Sequence, residues 1–195
     1  MLQNNTALSS KTILLLESLI KYYSTNIGIL TNIVNQKGLL SLRILDWLVT
    51  NYAKKNNIVY SLQKGNTIIN FNIYLDYKNQ LKAYSKKYFD PFCRRERIIL
   101  NTLDLSWKLI TDDTSKYVSY NTECEIVTTV GQLNFFKWLI ENEVLQYTIQ
   151  NIQQIDTDMI NTLNNTKNNH KRSELSKCAS KSICSYNQHT VVSFD

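Results

Sequence analysis

Glycine and proline are nearly missing, with four Gly and one Pro in 195 residues. That excludes collagen-like, Gly-rich and Pro-rich architectures and leaves few ready-made hinges. Histidine occurs only at positions 170 and 189, in a polar C-terminal stretch, so residues 1–169 hold no imidazole base for serine or cysteine chemistry. Also absent are the phosphate-cradling G-x-x-x-x-G-K-[ST] and G-x-G-x-x-G loops, the G-x-S-x-G elbow and the H-E-x-x-H helix. A non-enzymatic protein without a cofactor is the expectation. Near the N-terminus the longest apolar run, Ile13–Leu16, is cut by Glu17, and no window approaches the roughly 20 apolar residues of a bilayer span. With no signal peptide visible, a cytosolic protein with no membrane partner and four reduced Cys is expected.

Metal chemistry finds little support. His170, Cys178, Cys184 and His189 fall within twenty residues, but structural zinc sites bring ligands together as C-x₂₋₄-C or H-x₃₋₅-H, which this spacing does not match. No metal is assigned. Cys93 and Cys124 read as buried thiols of the folded part. Asp112-Asp113, in Thr-Asp-Asp-Thr-Ser, reads as a turn, and Glu123 with Glu125 as two acids on one strand face.

What is present is a globular composition, 43% hydrophobic and 11% aromatic, at a length suited to one domain plus a tail. Charged residues are few, 19%, and 23 Asn supply much of the polar surface. The net charge of +6 conceals a segregation: residues 1–36 carry +1, 37–97 carry +8, 98–163 carry −6 and 164–195 carry +3. Such a dipole along the chain reads as a basic face for a polyanion and an acidic face for another protein, as a self-complementary pair of faces that stacks subunits, or as two solvated surfaces.

Leu15, Leu16, Leu19 and Tyr23 predict a first helix, with Ser9 or Ser10 as its cap. A second, from about 40 to 55, sets Leu42, Leu45, Val49 and Tyr52 on one face. Ile58–Leu62 and Thr67–Leu75 flank Gln63-Lys64-Gly65-Asn66 and predict a hairpin, with Ile69, Phe71, Ile73 and Leu75 sharing a face. Asp76 then caps a helix over 77–89, ended by Pro91, whose Tyr77, Leu81, Tyr84 and Tyr88 form a core stripe. Residues 98–127 have β-rich composition and read as strands or irregular structure. Thr129-x-x-Gln132 matches a capping box opening a helix to about Ile155 along Leu133, Phe136, Ile140 and Val144, with Phe135 and Trp138 off that stripe. From Asn161 the chain is polar and reads as a flexible tail. The expected fold is α+β: three or four helices on a small, mainly antiparallel sheet built around the 58–75 hairpin, with residues 1–160 as one domain and 161–195 as a disordered basic tail.

The candidate functional residues are the lysines at 78, 82 and 86, which recur every four residues along one helix edge, extended by Lys87, Arg94, Arg95 and Arg97 and by Lys54 and Lys55. Ammonium groups in a row, followed by guanidinium forks, suit phosphate oxygens. A nucleic acid is therefore the expected partner, DNA ahead of RNA. The acidic region 98–163, with Trp138 as an exposed aromatic, is the alternative surface, for protein–protein contacts.

Three segments, SLRILDWLVTNYAKKNNIVY, FNIYLDYKNQLKAYSKKYFDPFCRRERI and TTVGQLNFFKWLIENEVLQY, together resemble a family of unassigned function in nucleocytoplasmic large DNA viruses. The resemblance covers residues 40–147. It implies a setting, the cytoplasmic viral factory or the virion, where a viral thiol oxidase crosslinks proteins, but carries over no activity and no residue role. The combined expectation is a viral protein that binds nucleic acid in transcription or genome packaging, or else a virion structural or minor capsid protein.

Overall fold

The computed structural model describes residues 8–34, 40–92, 94–110 and 124–168. Two units divide the chain, Met1–Ile160 and Asn161–Asp195. Helix α1 (Ser10–Val34) begins where Ser9 Oγ accepts the Thr12 N–H. It buries Leu16, Leu19, Tyr23 and Leu30, and loses helical geometry at Asn26, whose side-chain amide donates to the Tyr22 carbonyl. Ser41 caps α2 (Leu42–Trp47), which runs through a π-helical turn (Leu48–Tyr52) into α3 (Ala53–Asn56) and ends at Asn57 in the left-handed region. The wider turn keeps Leu45, Leu48, Val49, Tyr52 and Ala53 all buried.

Strands β1 (Val59–Lys64) and β2 (Thr67–Asn72) form the expected hairpin, Leu62 paired with Ile69 and Tyr60 with Phe71, around Gly65 at φ +59°. Only one face is covered: Leu62 and Phe71 are buried while Ile68 stands exposed. The second strand stops three residues short of expectation. Asn72, and not Asp76, is the cap, its Oδ1 accepting the Leu75 N–H at 2.9 Å, so Ile73 and Leu75 begin α4 (Ile73–Tyr88). Ile73 and Tyr77, four apart, are both buried, a spacing that serves a helix as well as alternation serves a strand.

Residues 97–129 supply a separate three-stranded antiparallel sheet, ordered β4-β3-β5, from β3 (Arg97–Asn101), β4 (Trp107–Leu109) and β5 (Glu125–Thr129). The strands of the described residues thus form two sheets where one was expected. Cys124, expected buried, is exposed one residue before β5; Cys93 and Asp112-Asp113 lie outside the described residues.

At the centre lies α5 (Val130–Glu141), with Leu133, Phe135, Phe136 and Leu139 fully buried. Thr129 Oγ1 caps it by accepting the Gln132 N–H. The long helix expected from here is three: α5, α6 (Val144–Gln150) and α7 (Ile152–Asn168). Asparagines make the breaks, Asn142 Nδ2 donating to the Trp138 carbonyl and Asn151 Nδ2 to that of Tyr147, taking up oxygens at the two helix ends. Trp138 is not the exposed aromatic the sequence led us to expect. It is 4% exposed, with Nε1 donating to Asp76 Oδ2 at 2.6 Å, because α5 is covered on nearly every side and leaves no outer face for it. Helix α7 extends to Asn168, beyond the position where the polar stretch begins. His170, Cys178, Cys184 and His189 lie outside the described residues.

Candidate functional site

The basic surface is shaped by how the end of α4 is fastened to α5. Phe89, 1% exposed, turns inward to meet Phe135 at 5.2 Å and Trp138 at 5.6 Å between ring centroids. Around it, Asn134 Nδ2 donates to the Tyr88 carbonyl, the Asp90 N–H to that of Gly131, and Gln132 Nε2 to that of Pro91. Gln132 Oε1 accepts from Thr128 Oγ1, so this side chain serves the Pro91 turn and does not reach back in a capping box. Gly131 is required: a Cβ there would lie 2.9 Å from the Lys87 carbonyl oxygen. Pulled inward over 87–91, the chain leaves helical geometry at Ser85, at φ 56° and ψ 171°. A non-glycine residue in that region costs about 1–3 kcal/mol and persists only where its surroundings impose it.

That break divides the lysine row. Lys78 and Lys82 lie on the straight part of α4, exposed; Lys86 and Lys87, also exposed, follow Ser85 and are re-aimed. Lys87 stands 3.8 Å from Glu96 and over the Tyr88 ring at 5.3 Å. Arg94 is not free for a ligand. Its Nε and Nη2 hold Asp90 through two bonds of 2.9 and 2.6 Å, a fork on a buried carboxylate. Lys55 is likewise tied to Asp158, which also accepts from Trp47 Nε1 at 3.0 Å. Lys54 lies over the Tyr74 ring at 5.9 Å. Arg95 and Arg97 are exposed on either side of Glu96. Among the described residues, no carboxylate comes within ion-pair distance of Lys54, Lys78, Lys82, Lys86, Arg95 or Arg97.

Sequence spacing did not reveal Lys11. At the start of α1, its ammonium lies 5.9 Å from the centroid of the Tyr88 ring that Lys87 also covers, and the Tyr88 hydroxyl is 3.2 Å from Thr12 Oγ1. Hydrogen bonds with Thr12 and Ser9, and the Lys87 charge, hold the Tyr88 phenol below its usual range. No local signal joins positions 76 residues apart; only the packing of α1 on the end of α4 does. From Tyr74, under Lys54, the straight part of α4 extends on the order of 15 Å to Tyr84 at about 1.5 Å per helical residue, and Lys11 on Tyr88 lies beyond the break.

Beneath the strip, charge is managed more tightly. Burial and the nearby Asp90 raise the Asp46 pKa, against the pull of Arg94 and Lys86. Tyr77, the buried member of the tyrosine stripe, is pushed up to about 12 by burial and by the same two carboxylates. Leu81, Tyr84 and Tyr88 of that stripe are half-buried. Among the described residues, no three His, Cys, Asp or Glu are placed to hold a metal ion together, and no helix is long and apolar enough to cross a membrane.

Residues 2–191 match the model of a family described as a family of unknown function (DUF7197). An uncharacterized protein of Acanthamoeba polyphaga mimivirus is 37% identical over 175 residues, covering 88% of this chain and 62% of that protein. The chain thus spans less than two thirds of the length of the curated relative it matches. No solved structure matches it.

Proposed function

The chain belongs to this family of unknown function and is 37% identical to a giant-virus protein, and from that premise we propose that it is a non-enzymatic viral protein that binds nucleic acid, DNA ahead of RNA, in viral transcription or genome packaging. One observation carries this reading: Lys78, Lys82, Lys86, Arg95 and Arg97 are exposed and form no ion pair among the described residues, Lys86 feeling Asp46 only at longer range, whereas Lys55, Lys87 and Arg94 in the same stretch do. Cations left unmatched at a surface hold counterions that a phosphate backbone displaces. Lys54 and Lys11, resting on tyrosine rings at the two ends, lengthen the strip.

The test is fluorescence anisotropy with labelled duplex DNA and single-stranded RNA across a salt series. Five phosphate contacts give a slope of log affinity on log salt of about −4.5 for duplex DNA. A variant with Lys78, Lys82, Lys86, Arg95 and Arg97 changed to Ala keeps its fold and loses that slope. Absence of binding by the parent at low salt overturns the reading.

The alternative is a virion structural or minor capsid protein. Its support is the loop between β3 and β4 in the acidic half, where Leu103 is 79% exposed. Contacts made by an apolar centre survive salt that strips a phosphate-bound protein.

A further inference from the structure

Ser85 occupies an unusual position on the proposed interface. It is exposed, and it is the residue of α4 that leaves helical geometry, so its hydroxyl stands clear of the ladder that buries backbone groups on either side. Lys82, Lys86 and Lys87 flank it at −3, +1 and +2. Its Oγ already accepts the Lys87 N–H, at 3.4 Å. A serine among cations, on a backbone already released from the helix, has the surroundings that a protein kinase with an acidic cleft reads.

We propose that Ser85 is a phosphorylation site that turns the basic strip off, an inference that rests on the nucleic-acid reading above. In the reaction the γ-phosphoryl group of magnesium-ATP passes to Ser85 Oγ. The bond to the β-phosphate oxygen breaks, ADP leaves, and the hydroxyl proton goes to the carboxylate base of the kinase. The product carries a charge of about −1.5 to −2 and three acceptor oxygens in the middle of the lysine row. Those oxygens offer Lys82, Lys86 and Lys87 in cis the chemistry that a nucleic-acid phosphate offers in trans. A covalent ligand at high local concentration wins that competition.

Full-length protein is incubated with a serine/threonine kinase selective for basic substrates and magnesium-ATP. Modified positions are mapped by mass spectrometry, and duplex binding is measured before and after. The expected result is phosphate on Ser85, a fall of tenfold or more in affinity at 50 mM salt, and a salt slope reduced by about 2. Ser85→Glu reproduces part of the fall. Ser85→Gly, which suits the positive φ, has the same affinity before and after kinase treatment. Phosphate confined to other serines, such as Ser173 or Ser180, with Ser85 unmodified, overturns the proposal, as does a modified Ser85 that binds unchanged. Failure of the unmodified protein to bind overturns the interface reading and the switch together; normal binding with no phosphate on Ser85 overturns the switch alone.

Discussion

Two sets of cations share one stretch of chain and have opposite fates. Arg94, Lys87 and Lys55 end on Asp90, Glu96 and Asp158, whereas Lys78, Lys82, Lys86, Arg95 and Arg97 end in solvent among the described residues. In the sequence they are one basic cluster. The difference teaches that net charge counts cations without saying which are already spent on the fold. Arg94 grips a carboxylate that is 8% exposed, and removing the guanidinium leaves a charge with nowhere to go. Lys78 grips no carboxylate among the described residues.

The sharpest test of that contrast is Arg94→Ala. Asp90 loses both bonds, and stability falls by about 2–3 kcal/mol, below the figure for a fully buried pair because Arg94 is itself largely exposed. Thermal or denaturant unfolding reads the loss, while the salt slope of duplex binding measured on folded protein stays as in the parent. The reverse pattern is expected of Lys78→Ala, Lys82→Ala and Lys86→Ala combined: unfolding within about 0.5 kcal/mol of the parent and a salt slope smaller by about 3. Should the triple variant melt early, the lysines belong to the tied set and the comparison fails.

Within the tied set, Asp158→Asn weakens the hold on Lys55 and changes the acceptor for Trp47, costing about 1–2 kcal/mol by denaturant titration, with a change in tryptophan emission. Lys55→Ala costs less, under about 1 kcal/mol, because the ammonium is 64% exposed and water screens the pair.

The smallest effects lie in pH and have opposite signs at two carboxylates. Hydrogen bonds from Lys55 and Trp47 lower the Asp158 pKa, so its contribution is complete above the unfolded value of about 3.9 and is lost as pH falls through its lower folded value. Burial and Asp90 raise the Asp46 pKa. Its ionised form therefore costs stability above that raised value, and the cost disappears as pH falls toward about 3.9. Asp46→Asn is expected to be neutral or stabilising at pH 7, its advantage over the parent shrinking on acidification; unfolding titrations from pH 7 to pH 3 read both trends.

Much of the fold was legible along the chain. The α1 face of Leu16, Leu19 and Tyr23, the 42–52 face, the hairpin about Gly65 and the Thr129 cap all depend on periods and caps within a few residues. Boundaries failed where two local rules competed. Ile73 and Leu75 satisfied strand alternation until the Asn72 side chain took the Leu75 N–H and made them helical. Asn142 and Asn151 cut one long apolar pattern into three helices because their amides compete for helix carbonyls.

The chemistry of the candidate site was less legible, because it depends on distant partners. By itself the sequence determined an α+β chain, an excess of positive charge over residues 37–97 and a row of lysines at helical spacing, since composition and period are local properties. Only the tertiary structure decided that the row breaks at Ser85, that Arg94 and Lys55 are committed, that Lys11 joins the strip and that Trp138 is buried. Each of those outcomes depends on packing between distant segments, which draws together side chains such as Trp47 and Asp158, 111 positions apart; no local period encodes such a contact.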